Sequence, residues 1–251
     1  MAELKGAFII GFAGLIMSAC GSTQELVVPT AEDRFQEAME LFDDGDYQAA
    51  IDQFSVITLQ HQGSSVADDA QFHLGECRFE RHEYLLAAFE YQQLRRNMPA
   101  SSLVAQAQYK LALCYYNLSP KSSLDQQYTL KAIDEFQRLV EYYPGSEYAP
   151  FGEEKIAELT AKLARKEYDT GRLYSTMEYF RAAVLYYDTV IERYHDTEYA
   201  PLAYLGRTEA LMERSMLLEA RRTVLKFLEQ YPQSLHRPEA ERMLERIEDR
   251  L

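Results

Sequence analysis

Small and aromatic residues recur at a constant spacing along most of this 251-residue chain. When the chain is aligned with itself at the offset that separates Phe35 from Phe72, six positions of one segment fall on residues of similar size in the next. Phe35, Ala38, Phe42, Tyr47, Ala50 and Phe54 correspond to Phe72, Gly75, Phe79, Tyr84, Ala87 and Tyr91. Self-similarity at a fixed period indicates a repeat architecture.

The same pattern continues, less regularly, through the rest of the chain. The third copy has Tyr109, Ala112, Tyr116, Ala132 and Phe136, the fourth has Tyr168, Gly171, Tyr174, Ala183 and Tyr187, and the fifth has Leu205, Thr208, Leu211, Ala220, Val224 and Phe227. Within each copy these residues are three or four apart, which is helical spacing, and a polar turn such as 43–46 divides the copy into two helices. The sequence therefore predicts an all-α fold of five helical hairpins.

Each hairpin has a small residue where its two helices approach each other closely, and an aromatic residue that we expect to fill the space between neighbouring hairpins. A hydroxyl residue precedes each new helical pattern, where it can cap free backbone N–H groups. These residues are Ser64, Ser101, Ser146, Thr197 and Ser234. We expect the hairpins to stack into an elongated superhelix, followed by a charged terminal helix.

The first twenty residues are typical of a targeting segment rather than of the fold. The apolar run 7–17 is too short to cross a membrane, which takes about 20 residues of helix, so 1–19 are predicted to be a signal peptide. Met17-Ser18-Ala19-Cys20 resembles the lipobox of bacterial lipoproteins, in which the cysteine is acylated. This resemblance implies a lipid on Cys20 and a lipidated tether over 20–30, with an ordinary secreted protein as the alternative.

Composition and charge exclude several classes of function. There are 26 Lys+Arg and 40 Asp+Glu, which gives a formal net charge of −14, so nucleic acid is not an expected partner. The sequence contains neither a phosphate-binding loop nor a nucleophile-elbow motif, and we expect no catalytic residues. His73 and Cys77 are four residues apart but lack a third ligand, so we expect neither a metal site nor a cofactor beyond the lipid.

At the level of repeats, the pattern resembles tetratricopeptide repeats of the long type found in bacterial envelope proteins. The insertion 119–128, which contains Asp125-Gln126, and the uninterrupted helical stretch 151–168 add detail to this match. Together with the lipobox, they are similar to the BamD family of outer-membrane β-barrel assembly lipoproteins. Members of that family usually carry Arg and Gly in the turn of the fourth repeat, where this chain has 175–178.

The resemblance implies a non-enzymatic scaffold that is lipid-anchored on the periplasmic face of the outer membrane. Its implied partners are a BamA-like barrel protein, which it contacts at the POTRA region, other lipoproteins of the assembly machinery, and unfolded outer-membrane proteins. Repeats 1–3, over 31–145, would hold the targeting peptides of these substrates. Repeats 4–5 and the terminal helix, over 146–251, would dock onto the barrel protein.

The candidate binding residues follow from these two roles. Pairs of aromatic residues seven apart lie on one face of each of the first three repeats, and we expect them to contact peptide: Phe35, Phe42, Phe72, Phe79, Tyr109 and Tyr116. Aromatic and cationic residues of the fourth repeat are the candidates for partner binding: Tyr168, Arg172, Tyr174, Arg181 and Arg193. A pilotin-like lipoprotein or a regulator of cell-wall synthases is the alternative.

Overall fold

The computed structural model describes residues 29–251, and this part of the chain contains eleven α-helices. They are α1 (Ala31–Asp43), α2 (Tyr47–Gln60), α3 (Ala67–Glu80), α4 (Tyr84–Asn97), α5 (Val104–Leu118), α6 (Gln127–Tyr142), α7 (Ala149–Thr176), α8 (Phe180–Arg193), α9 (Tyr199–Glu213), α10 (Leu217–Gln230) and α11 (Arg237–Glu248). The predicted signal peptide, the lipidated Cys20 and most of the tether lie outside the described residues. Over 29–251, the helices are all too short or too polar to cross a membrane.

The all-α prediction is confirmed, and the succession of helices fits a tetratricopeptide-like superhelix. Sequential helices pack against each other along the chain, from α1 on α2 through to α10 on α11. The helices of a hairpin are joined by a three-residue turn in four cases, and by the longer loop 119–126 between α5 and α6. The number of tetratricopeptide repeats and the division of the chain at residue 146 stay predictions.

The short turns share one backbone conformation. The residue two before each second helix has a positive φ angle, at Gly45 (79°), His82 (59°), Glu178 (62°) and Ser215 (57°). Only glycine adopts this left-handed region without a steric cost. His82, Glu178 and Ser215 therefore carry backbone strain that Gly45 avoids.

One aromatic ring from each second helix lies at the centre of the fold. The rings of Phe54, Tyr91, Phe136, Tyr187 and Phe227 are at most 2% exposed. Each belongs to a buried cluster that joins its own hairpin to the first helix of the next one, or to α11 in the last case. This confirms that the aromatic position fills the space between neighbouring hairpins.

Glycine is needed where two of these rings meet a first helix. A Cβ atom added at Gly75 would lie 2.5 Å from Tyr91 Cε1, and one at Gly171 would lie 2.8 Å from Tyr187 Cε1. On its other side Tyr187 meets Gly206, where an added Cβ would be 2.6 Å from Cζ. The tyrosine rings are larger than phenylalanine and reach the helix backbone directly, which leaves no room for a methyl group.

Helix α7 is 28 residues long and serves two hairpins. Its first half packs on α6. A Cβ atom added at Gly152 would lie 3.1 Å from the Leu139 side chain, and Leu159 belongs to the cluster around Phe136. Its second half packs on α8 through Gly171 and Tyr187. At 1.5 Å per residue the helix is about 42 Å long, so it links the two halves of the array without a turn.

The predicted capping by hydroxyl residues is only partly right. The hydroxyls of Ser101, Ser146 and Ser234 each accept a hydrogen bond from the backbone N–H two residues later, ahead of the helix start. Thr197 instead donates to the Tyr194 carbonyl, and the Ser64 hydroxyl is buried without a partner. These residues therefore shape the turn between hairpins and are not helix N-caps.

Replacing Gly75 by alanine tests the close approach of α3 to Tyr91. Although alanine favours helix, the added methyl group overlaps the ring, so we expect Gly75→Ala to lower the free energy of unfolding by about 1–3 kcal/mol. Gly145→Ala is the control, because nothing lies within 4 Å of its added Cβ. Chemical denaturation of both variants checks this, and equal stability of the two would contradict the packing described.

Candidate functional site: an aromatic ladder and a hairpin-end surface

The six aromatic residues predicted to bind peptide, here termed the aromatic ladder, lie on the first helices α1, α3 and α5. Phe72 is only 5% exposed and packs on Tyr91, with ring centroids 5.7 Å apart, so it is a core residue with no free face. The other five are half-buried. The structure therefore narrows the candidate contacts to Phe35, Phe42, Phe79, Tyr109 and Tyr116.

The two ladder residues of α1 surround a histidine from α3. The imidazole of His73 stacks on Phe54 at 5.7 Å and meets Phe42 at 5.6 Å and Phe35 at 6.0 Å, both edge-on. Its Nδ1 atom is buried without a hydrogen-bond partner. Burial lowers the pKa of His73, although the carboxylates of Glu76, Asp69 and Asp43 act in the opposite direction. The ring is therefore held neutral at neutral pH.

Lysines lie beside the next two parts of the ladder, Lys110 on α5 at the repeat position of His73 and Lys155 on α7. The Lys110 ammonium lies 5.1 Å from the centre of the Phe79 ring, and that of Lys155 lies 4.4 Å from Tyr116. Each lysine is also ion-paired, Lys110 to Glu76 at 2.7 Å and Lys155 to Glu158 at 2.8 Å. One side of Phe42, Phe79 and Tyr116 is thus covered by His73, Lys110 and Lys155 in turn, each from the first helix of the next hairpin.

The third pair of the ladder is extended by two aromatic residues that sequence reasoning missed. Tyr109 stacks on Tyr148 at 5.2 Å and lies 6.4 Å from Phe151, whose side chain is 52% exposed. Tyr148 directly precedes α7 and Phe151 lies in its first turn. Neither residue has the spacing that defines the ladder. Their position after a turn hides them from a search for helical periodicity.

In two hairpins the same hydrogen bonds hold the first helix, termed inner, against the second helix, termed outer. The Gln71 amide donates to the backbone carbonyl and the carboxylate of Glu90, and Gln108 binds Glu135 in the same way. Gln71 and Gln108 directly precede ladder residues. Because a buried amide must find partners, these bonds fix the rotation of each inner helix and hence the direction in which the ladder faces.

The residues predicted to bind a partner fall into three separate places. Tyr168 and Arg172 line a cleft of about 350 Å³ against α9 and α11, with the guanidinium 5.9 Å from the Tyr168 ring. Tyr174 and Arg181 lie together at the α7–α8 turn. Arg193 is at the far end of α8, twelve residues from Arg181, which is about 18 Å along the helix.

Around Tyr174 and Arg181 the surface is unusually apolar, and we term it the hairpin-end surface. It consists of Tyr174, Glu178, Tyr179, Phe180, Arg181, Ala182, Leu185 and Arg214. Tyr179 is 59% and Leu185 64% exposed. Arg181 and Arg214 form no ion pair within residues 29–251, so this surface combines free cations with exposed apolar side chains.

A signal for this surface was present in the repeat alignment. Leu185 occupies the outward position that holds Asp52, Asp134 and Arg222 in other copies. An apolar residue at a position that is otherwise charged marks an exposed contact rather than core. Phe89 is the only other aligned copy with an apolar residue there, and it is 53% exposed.

The two cysteines of the described region do not add a reactive site. Cys77 and Cys114 are buried free thiols. Burial raises the pKa of Cys77 to about 12 and also raises that of Cys114, so neither forms a thiolate near neutral pH. Between residues 29 and 251, no group of three or more His, Cys, Asp or Glu side chains is arranged to hold a metal ion.

Comparison with known proteins identifies similar sequences. The profile of the YfiO family, described as "Outer membrane lipoprotein", matches residues 29–216. A Rickettsia prowazekii protein named "Outer membrane protein assembly factor BamD" is 27% identical, over 93% of this chain and 93% of its own length. The protein of the same name from Caulobacter vibrioides is 28% identical, over 79% of this chain and 63% of its own.

The fold is also similar to that of solved structures. The TPR2AB domain of yeast Sti1, solved in complex with pHSP90, aligns with a TM-score of 0.44 and 16% identity, covering 86% of this chain and 82% of that one.

The buried His73 predicts a pH dependence of stability. Because its pKa in the folded chain is below the ordinary value of 6.5, the unfolded chain binds more protons in this range. This contribution to stability is fully present above pH 6.5 and is lost as the pH falls through 6.5 toward the lower folded value. We expect His73→Phe to lose less stability than the wild type between about pH 7.5 and about pH 5.5.

Denaturation at the two pH values measures this difference, with His195→Phe as the matched control because that side chain is 72% exposed. If the wild type and His73→Phe lost the same free energy of unfolding over this interval, His73 would not be held neutral by burial.

Proposed function

The chain belongs to the YfiO family of outer membrane lipoproteins, and from this premise we propose that it is a periplasmic scaffold with two binding surfaces and no reaction of its own. Its general role is in outer membrane protein assembly, as in its relatives named for that process. In the proposal, repeats 1–3 bind the targeting peptides of unfolded outer-membrane proteins. The C-terminal half docks onto the POTRA region of a BamA-like barrel protein.

One observation carries this proposal: the chain has two chemically different exposed surfaces, on different hairpins. The aromatic ladder lies on α1, α3 and α5. Five of its six rings are half-buried, and two of these lie beside ion-paired lysines. The hairpin-end surface lies at the α7–α8 turn and combines exposed apolar residues with free arginines. Two separate surfaces allow one chain to hold a substrate and a machine component at the same time.

Half-buried aromatic rings suit a transient peptide ligand. In helical repeat arrays the first helices line an extended inner surface, where Phe42, Phe79 and Tyr116 would meet an extended chain. Rings held on one side by the fold lose little entropy on binding, so they contribute contact area at low cost. Targeting segments that end in an aromatic residue match this surface.

The hairpin-end surface suits a folded partner. Aromatic residues and arginine are enriched at the centres of protein interfaces, and Tyr179, Arg181 and Leu185 provide both in one place. Tyr168, Arg172 and Arg193 lie elsewhere on the C-terminal half, and we propose them as contacts for further lipoproteins of the machinery or for other parts of the barrel protein.

The family and the lipobox support the proposed location. The family is described as outer membrane lipoproteins, and relatives are outer membrane assembly factors, so the chain is in the cell envelope. We propose that a lipid on Cys20 anchors it to the periplasmic face of the outer membrane. Such an anchor leaves the helical array free in the periplasm, where both surfaces are accessible.

We expect the double variant Phe42→Ala, Phe79→Ala to weaken peptide binding by about tenfold or more. Each substitution removes a phenyl ring, and full burial of such a ring contributes about 1.5–3 kcal/mol. Binding to the POTRA region should be unchanged. The control is Phe89→Ala, which removes an exposed ring from an outer helix. Fluorescence anisotropy with a labelled peptide measures the first affinity. Equal loss of both activities would mean that the variant damages the fold.

We expect Leu185→Glu to weaken docking to the barrel protein by about tenfold or more, since it places a charge in the apolar centre of the interface. Leu218→Glu is the matched control, because Leu218 is exposed to a similar degree, 66% against 64%, on another outer helix. Calorimetry with the purified POTRA region measures both. Similar affinities for the two variants would remove the hairpin-end surface from the proposed interface.

A further inference from the structure

Helix α7 has two positions at which a second helix could pack. In three other hairpins the small residue of the first helix lies eleven residues after the hydroxyl residue of the preceding turn. These small residues are Gly75, Ala112 and Thr208. Counted in the same way from Ser146, the position in α7 is Ala157. The residue that meets the ring of α8 is instead Gly171, which lies fourteen residues, or about 21 Å, further along the helix.

The earlier of these two positions has no second helix on it. Gly75, Ala112 and Thr208 are all buried, and at Gly75 the Tyr91 ring lies directly against the helix backbone. Ala157, by contrast, is exposed. Because α8 packs on the second half of α7, the first half presents the face that a first helix normally uses to bind its own second helix.

A groove of about 410 Å³ follows this face, and the turn between α8 and α9 forms its other wall. The floor lies on two neighbouring turns of α7 and consists of Ile156, Ala157, Thr160 and Ala161. Three carboxylates line the rest of the groove together with Thr197, and they belong to Glu153, Asp196 and Glu198. Lys and Arg are absent from the described residues that line it. We term this groove the vacant helix site.

Glu153 lies where first helices contact their second helix through a polar side chain. Seven residues after the turn hydroxyl, Gln71 and Gln108 bind backbone carbonyls of the second helix in their hairpins, and Tyr204 donates to Gln230 of α10 at 2.8 Å. Glu153 has the same place in α7 but forms no hydrogen bond or ion pair with another residue of 29–251. Its carboxylate can accept bonds from a donor that another protein supplies.

The other two carboxylates of the vacant helix site also lack a permanent cation. Glu198 forms no ion pair within the described part of the chain. Asp196 lies 3.6 Å from the His195 imidazole, which is an ion pair only when the histidine is protonated. Three such carboxylates beside an apolar floor attract a basic ligand and repel an acidic one.

We propose that the vacant helix site binds a helix of a partner protein, which lays a bulky apolar side chain over Ala157 and directs Lys or Arg toward Glu153 and Glu198. The bulky side chain takes the place that Tyr91 has over Gly75. An amphipathic helix in an apolar groove is a recurring mode of recognition. The inference goes beyond the proposed function, because this site shares no residue with the aromatic ladder or the hairpin-end surface.

The probe is a synthetic amphipathic helix of about 18 residues, closed by one hydrocarbon staple because a free peptide of this length is only marginally helical. The basic form has a central tyrosine with an arginine one turn before it and another one turn after it. The acidic form has glutamate in place of each arginine. Fluorescence anisotropy measures the affinity of both forms for the full chain in detergent.

The wild type is compared with Ala157→Leu, Glu153→Gln and the matched control Glu154→Gln. Glu154 is an exposed carboxylate that is next to Glu153 in the sequence but does not line the groove. Since Ala157 and Glu153 are both exposed, neither substitution at these positions disturbs the core.

We expect the basic helix to bind the wild type at least about tenfold more tightly than the acidic helix. Ala157→Leu should weaken the basic helix by about tenfold, because it fills the space of the tyrosine ring. Glu153→Gln should weaken it at low salt and have less effect at high salt, and Glu154→Gln should leave it unchanged. Ala157→Leu should not alter binding of the ladder peptide or of the POTRA region, so failure of this inference is separate from failure of the proposed function.

Equal affinity of the wild type for the two helices would overturn the inference, and so would equal affinity of the basic helix for the wild type and Ala157→Leu. Equal weakening by Glu153→Gln and Glu154→Gln would also overturn it, since that result would reflect the net charge of the chain. Sedimentation velocity provides a further check. A dimer that Ala157→Leu dissociates would make a second copy of this chain the occupant and contradict the proposal.

Discussion

The stacking of the hairpins depends on one aromatic ring in each second helix, which joins its own hairpin to the helix that follows. The five rings are at most 2% exposed, and around Tyr91 and Tyr187 the neighbouring helices can approach only because Gly75, Gly171 and Gly206 have no side chain. These contacts set the distance between hairpins and, through α7, connect the two halves. Stability in such arrays is a sum of neighbour contacts, so each ring fixes its own junction.

The same constraint explains why five of the six proposed peptide-binding residues are half-buried. Ladder residues lie on the first helices, beside the central rings of the second helices, and Phe72 packs fully against one of these rings and joins the core. The remaining rings are fixed on one side by the fold and contact His73, Lys110, Tyr148 or Lys155. A rigid, partly polar surface of this kind suits reversible peptide binding. The hairpin-end surface, by contrast, has exposed side chains that only a partner can cover.

The repeat alignment was enough to predict the helices, the hairpin turns and the central rings, because these follow from local periodicity. It could not separate Phe72 from Phe79, since both lie on α3 two turns apart, and only the packing of the neighbouring helices buries the first and leaves the second half-buried. Tyr148 lies in a loop and Phe151 lies on α7 outside the repeat spacing, so their position beside Tyr109 depends on the path of the chain. Leu185 was detectable, as an apolar residue at a position that is charged in three other copies.

The most direct test of the account is affinity purification of the full chain from its native envelope, with quantitative mass spectrometry of the proteins that co-purify. A scaffold of the assembly machinery should recover a POTRA-containing barrel protein in near-stoichiometric amount, and the Leu185→Glu chain should recover much less of it. Recovery of a secretin or a cell-wall synthase in its place would leave the helical array intact and contradict the function proposed for it.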